Sequence, residues 1–371
     1  MIIDVHCHYA LARRPATVGD RFSFEPPAKS GLSVPRYPTQ FDSCLSPRAL
    51  RRWSWRLARW WLGLPRDLDE LDQRLVAEYE RHLLADGPIE RYVLLAFDAV
   101  HDDDGHCLPL PGPRDRCGSD LYTSNSLIRD LCRRFPRRFL FGASVHPYRP
   151  NAVGCVEEVF AAGACLLKWM PLHHNIDVRD DRSVAVMRKC ADLGLPLLVH
   201  CGPEFTLATQ RPEYLSVRPL LEVLRRLHRE GNMPCTIVAH AATPVFFFQS
   251  RDSHRALLEA LTGDLAEAPL YADLAALVTL TKAGDLHRLL RRPELHAKLL
   301  FGTDFPVPVG LERLIRNLGG DYRRLMAVPS WPQRAALACR RLGFNEIVFQ
   351  RAAEILPNVN YFAPVGHAAT A

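Results

Sequence analysis

Lysine is scarce in this sequence. Of its 47 basic residues, five are lysines, at positions 29, 168, 189, 282 and 298, and 42 are arginines. A lysine inside an apolar strand therefore needs its own explanation. Long apolar runs are absent as well, none reaching the ~18 residues that a membrane span requires. The opening Met1-Ile2-Ile3-Asp4 lacks the basic start and apolar stretch of a signal peptide. These features predict a cytoplasmic protein with no membrane partner. The 11 cysteines include no C-x-x-C pair, which argues against a zinc knuckle and fits reduced thiols. The net charge of +6 permits an anionic small-molecule substrate without calling for nucleic acid.

With 48% hydrophobic and 24% charged residues over 371 positions, the chain has ample material for a large core. Apolar runs rich in Val, Leu, Ile and Phe recur at 2–6, 92–97, 139–145, 164–168, 195–200, 236–240, 270–273 and 298–302. Between them lie helix-periodic stretches at 72–85, 124–135, 156–162, 183–193, 217–230 and 253–262, with a last one at 346–356. Eight such units predict an α/β fold, a (β/α)₈ TIM barrel whose chemistry sits at the carboxyl ends of the strands. An open doubly wound sheet would carry a glycine fingerprint after its first strand, where this chain has His-Cys-His. The expected organisation is one barrel domain over 1–371, with an insertion at about 10–85 in the first loop.

Within that insertion, residues 9–37 are Pro- and Arg-rich and read as irregular. Residues 46–66 hold four of the six tryptophans, six arginines and no acid. Leu50, Trp53, Leu57, Trp60, Trp61 and Leu64 share one face of a helix, expected to pack on the barrel or on a second subunit, so a homodimer is compatible. The tail 364–371 reads as frayed.

His6 and His8, at i and i+2 on the first strand, face the same side and can chelate one metal. His200, His240 and Asp304 each stand at the carboxyl end of a later apolar run, where a barrel gathers its strand ends at one mouth. Lys168 ends the run Cys165-Leu166-Leu167 and must be paired, carbamylated or in contact with substrate. His146 and the pair His173-His174 lie on the catalytic side of their strands, whereas His82, His228, His254, His287 and His296 read as solvated residues of helices and loops.

At these residues the chain resembles the amidohydrolase superfamily. The resemblance is to its branch of metal-dependent hydrolases and decarboxylases, which includes aminocarboxymuconate semialdehyde decarboxylase. It rests on Asp4-Val-His6-Cys-His8, Leu167-Lys168-Trp169, Leu198-Val-His200, Ile237-Val-Ala-His240 and Phe301-Gly-Thr-Asp304-Phe-Pro306, with the closing helix at 347–356. It implies His6, His8, His200 and Asp304 as ligands of a divalent metal. Zinc is favoured with manganese as the alternative, one ion per chain rather than two. Asp304 and His240 become the catalytic pair, and Lys168, Trp169 and His146 the substrate contacts. Hydrolysis of an ester, lactone or amide is the first reading and non-oxidative decarboxylation the second. A TatD-like nuclease is weaker because Lys168 stands where that branch has an acid. A catalytically inactive barrel used as a binding module would not need so complete a ligand set.

Overall fold

The structure is a computed structural model and describes residues 1–15, 41–108, 110–246 and 248–363. Eight parallel strands follow one another around a barrel: Ile2–His8, Ile89–Leu95, Phe139–Ala143, Ala164–Trp169, Leu197–Val199, Thr236–Val238, Leu270–Asp273 and Leu299–Leu300. All eight correspond to the apolar runs of the sequence. Neighbours pair in sequential order, with Tyr92 opposite Asp4 and Phe139, and Leu198 opposite Lys168 and Ile237. Strands covered on both faces read as continuous apolar runs, which explains why they stand out in the sequence.

The lumen is filled by Ile3, Val5, Val93, Leu140, Leu198, Ile237 and Leu300, and closed from below by Ala352 and Leu356. The last helix, Ile347–Ile355, is fastened there by the Phe301 N–H donating to Val348 O at 2.9 Å. The seven predicted stretches are helical to within a few residues, for example Asn125–Arg134 after the Ser124 cap and Asp181–Leu193 after the Asp180 cap, whereas the helices Ala283–Leu290 and Trp331–Leu342 fall outside them. The largest shift is Leu68–Leu83, which starts early because the Asp67 carboxylate caps the amides of Asp69 and Glu70.

The insertion is more ordered than expected at its edges. Arg13–Pro15 and Phe41–Leu45 form antiparallel strands with Leu121–Thr123, and Phe97 exchanges two backbone hydrogen bonds with Thr123. This small sheet hangs from the end of the second barrel strand. The remainder of the predicted irregular stretch, and the tail, lie outside the described residues.

A helix does form at Trp53–Leu62, but its face is corrected. Trp53, Leu57 and Trp60 are 62%, 50% and 79% exposed, while Trp55, Leu50 and Leu64 pack on the core. Of the three exposed residues, Trp53 meets the Phe205 ring edge-on at 4.7 Å. The tight Gly63 turn after the helix brings Leu64 back to the body of the protein.

Candidate active site

Three backbone hydrogen bonds close the barrel between its first and eighth strands and assemble the site in doing so. Val5 N–H donates to Phe301 O at 3.2 Å, Asp304 N–H to His6 O at 2.8 Å, and His8 N–H to Phe305 O at 2.7 Å. Buried Asp4 reinforces the seam by accepting from Thr303 N at 3.0 Å and Cys7 Sγ at 3.1 Å. Burial raises its carboxyl to about 6. Close approach depends on Gly302, where a Cβ would lie 3.1 Å from that of His6 and 3.3 Å from that of Ala275.

Around Asp304 the imidazoles converge. Its Oδ1 lies 3.1 Å from His8 Nε2 and 3.4 Å from His6 Nε2, and its Oδ2 lies 3.9 Å from His240 Nε2. The His6 and His240 rings stack at 4.9 Å, and His200 meets His240 edge-on at 5.1 Å. The geometry thus brings His6, His8, His200, His240 and Asp304 together.

Hydrogen bonds behind two of the rings fix which nitrogen is free. His6 Nδ1 donates to Asp273 Oδ2 at 2.8 Å, and His240 Nδ1 donates to Ala275 O at 2.9 Å. Each leaves Nε2 as a lone-pair acceptor aimed at Asp304, itself an acceptor. His200 Nε2 is buried and has no hydrogen-bond partner among the described residues. Burial holds His6, His240 and His200 below the usual histidine range, His200 at about 4, so all three are neutral near pH 7. Acceptors facing one another around an orphaned nitrogen form a donor set that fits a divalent cation.

Lys168 borders the same cluster, its Nζ 3.3 Å from His6 Nε2. Burial lowers it to about 8, with Asp273 and Asp304 pulling the other way.

Two of the expected substrate contacts are corrected. Trp169 is fully buried in the outer core and its indole N–H donates to Val145 O at 2.8 Å. It follows Lys168, so the pleat turns it away from the lumen. His146 is also fully buried, with Nε2 donating to His174 O at 2.7 Å and Nδ1 accepting from Tyr148 N at 3.1 Å. Neither has a polar atom to spare for a ligand. His82, His254 and His296 are buried as well rather than solvated. His254 Nδ1 donates to Ala241 O at 2.7 Å and so braces the turn that carries His240.

Sequence reasoning passed over three residues. Asp273 ends the seventh strand as His200 and Asp304 end theirs, a signal that was available. Glu204, four residues beyond His200, places Oε2 3.7 Å from His200 Nε2. Burial pushes its carboxyl up, but His200 and hydrogen bonds from Thr206 and Leu207 outweigh this and hold it below its usual range. Lys282 is buried in the loop after the seventh strand.

The family model for amidohydrolases matches residues 3–316. The chain belongs to the amidohydrolase family. It is accordingly a metal-dependent enzyme of hydrolase or decarboxylase type, and His6, His8 and Asp304, whose ligand atoms lie within 4.8 Å of one another, form a possible metal-binding site. No curated protein matches this chain. Among solved structures it is similar to an uncharacterised TIM-barrel protein from Bordetella bronchiseptica, at 16% identity and a TM-score of 0.48, over 95% of this chain and 99% of that one. A probable 2-pyrone-4,6-dicarboxylic acid hydrolase from Acinetobacter baumannii is similar at 12% identity and a TM-score of 0.47, over 96% and 98%. A 2,6-dihydroxybenzoate decarboxylase from Rhizobium is similar at 13% and 0.44, over 92% and 99%. Among the described residues, no helix is long and apolar enough to cross a membrane.

Proposed function

We propose that the protein hydrolyses a carboxylic ester, lactone or amide with a single divalent ion. The observation that carries this reading is the set of neutral imidazole acceptors turned towards Asp304, with His200 Nε2 orphaned among them. His6, His8, His200 and Asp304 would hold the ion, and zinc suits a nitrogen-rich set with one carboxylate. When bound, the ion supplies a Lewis acid that lowers the pKa of water towards ~7 and polarises a carbonyl.

The chain's own residues then manage the protons. Asp304 accepts a proton from the attacking water as the new C–O bond forms, and returns it to the alcohol or amine as the old C–O or C–N bond breaks. His240, whose Nδ1 donates to Ala275 O, presents an acceptor and orients that water. An oxyanion needs a donor instead, and the Lys168 ammonium is placed to be one.

Asp304→Asn tests the reading, because it keeps side-chain volume and deletes the proton acceptor. Turnover should fall ~10²-fold or more. The substrates would be esters, lactones, amides and aromatic carboxylates, scored for both hydrolysis and CO₂ release. CO₂ release without hydrolysis, or near-normal hydrolysis by Asp304→Asn, would overturn the reading.

A further inference from the structure

Eight large apolar side chains are exposed among the described residues, and five of them lie on segments that leave the carboxyl ends of barrel strands. Trp53, Leu57 and Trp60 follow the first strand, Phe248 the sixth and Leu280 the seventh. Ring contacts join part of this set into one patch. Trp53 meets Phe205 edge-on at 4.7 Å, Phe205 meets Phe246 at 5.5 Å, and Phe246 stacks on Phe248 at 5.4 Å. Single exposed apolar residues are ordinary, but a contiguous patch marks contact with something else. The patch rims the mouth of the barrel, because Phe205 follows Glu204, whose Oε2 lies 3.7 Å from His200 Nε2.

Charge indicates what covers it. The segments 46–66, 239–251 and 274–284 together carry eight arginines and lysines and no acid. Arg48 and Arg251 are paired with Asp120 and Asp285. Arg51, Arg56 and Arg66 are exposed and form no ion pair with any described residue. On the helix Trp53–Leu62, Arg56 is three residues from Trp53 and four from Trp60, so the cation and the two exposed indoles are surface neighbours. Exposed tryptophan and leucine flanked by arginine suit a lipid headgroup layer, where the indoles sit at the interface and the cations meet anionic lipid. A second copy fits less well, since a two-fold pairing of this face would set arginines against arginines with no acid in these segments between them. A single-stranded nucleic acid could stack on the rings but would leave Leu57 and Leu280 without apolar cover.

We propose that this face docks peripherally on an anionic phospholipid bilayer. Trp53, Leu57, Trp60 and Phe248 enter the headgroup layer, and Arg51, Arg56 and Arg66 meet its phosphates and carboxylates. The mouth of the barrel is then held against the lipid. The expectation of no membrane partner rested on the lack of a spanning run, which does not bear on a peripheral contact. Docking is also independent of the hydrolase reading, and its test needs no turnover.

Sedimentation of the full metal-replete chain with vesicles supplies that test. Vesicles of equimolar phosphatidylserine and phosphatidylcholine should bind ~10-fold or more tightly than phosphatidylcholine alone, because each arginine near an anionic surface is worth a factor of ~5. Salt at about 1 M should remove most of that difference. Leu57→Ser combined with Trp60→Ser should weaken binding to the mixed vesicles ~10-fold or more, and so should Arg51→Gln combined with Arg56→Gln. Tyr361→Ser should leave binding unchanged, since Tyr361 is exposed at the opposite end of the barrel, where its hydroxyl donates to Ala161 O at 2.8 Å. No binding to the mixed vesicles, equal binding to both kinds, or full binding by either double variant would overturn the inference. A dimer in the absence of lipid that Leu57→Ser with Trp60→Ser dissociates would overturn it in favour of a second copy. Displacement of the vesicles by single-stranded DNA bound through the same residues would do so in favour of a nucleic acid.

Discussion

Asp273 offers the sharpest test of how the site is built, because it touches the histidines from behind and never the substrate side. Its Oδ2 accepts from His6 Nδ1 at 2.8 Å, and its Oδ1 accepts from the backbone amides of His240 at 2.6 Å and Ala275 at 3.1 Å. One carboxylate thus aims two imidazoles. It is fully buried, and burial raises it to about 7. Asp273→Asn keeps the volume and an oxygen for the two amides, but it loses the negative charge and can turn an N–H towards His6. Metal affinity should fall ~10–100-fold, the usual effect of removing a partner behind a metal-bound histidine. Asp273→Ala should cost stability in addition, because the amides of His240 and Ala275 are left unsatisfied at ~1–3 kcal/mol each. Competition titration with a chromophoric chelator measures the first effect and urea denaturation of metal-free protein the second. Metal affinity within about threefold of the parent in Asp273→Asn would refute the idea that this carboxylate sets the tautomer and aim of His6.

Gly302→Ala should weaken metal binding with little loss of secondary structure, since the new methyl would stand 3.1 Å from His6 Cβ and push the eighth strand outward. An unchanged metal affinity by the same titration would show that the seam can yield at no expense to the site. His82, packed between the rings of Phe305 and Trp331, is held at about 4, first by burial and then by the Arg81 charge. A depressed histidine contributes stability that is full above its unfolded value of ~6.5 and is lost as the pH falls towards 4. His82→Gln should therefore gain on the parent by up to ~1.4 kcal/mol per pH unit in that window. A difference between the two that does not change with pH in urea denaturation would contradict this assignment.

The barrel was legible in the sequence because strands buried on both faces cannot hide their composition. The metal-binding candidates were legible for a related reason: a His or Asp that ends an apolar run stands out against it. What escaped was whatever depends on the opposite side of a residue. Trp169 and Lys168 are neighbours in one apolar strand, and the pleat alone decides that one enters the outer core while the other enters the lumen. His146 has the right position on its strand, but backbone groups of Tyr148 and His174 occupy both its nitrogens, and local sequence does not record them. The apolar face of the Trp53–Leu62 helix obeyed its periodicity and still remained largely open, because periodicity describes a face and not what covers it. Glu204 and Lys282 come from loops, where no period exists to mark them.

Backbone conformation adds an independent sign that this end of the barrel has been shaped for something other than stability. Eight described residues other than glycine have positive φ. Three are Asn151, Asn175 and Asn358, a residue type that tolerates the left-handed region. The other five are His240, Ala241, Ala242, Ala276 and Asp304, and all of them follow the last three barrel strands at the mouth. For alanine and histidine this conformation costs roughly 1–2 kcal/mol per residue, and nothing in the packing of a parallel barrel demands it. The hydrogen bonds described above hold the strain in place: Asp273 on the His240 amide, His254 on Ala241 O, and the His6 carbonyl on the Asp304 amide. Each of these contacts also fixes a group that faces the site. The left-handed turns project His240 and Asp304 into the mouth, where a strand continuing in extended form would alternate them between lumen and outer core. Strain and a buried nitrogen without a partner among the described residues thus coincide in one place, and the large buried barrel beneath is what allows them to persist.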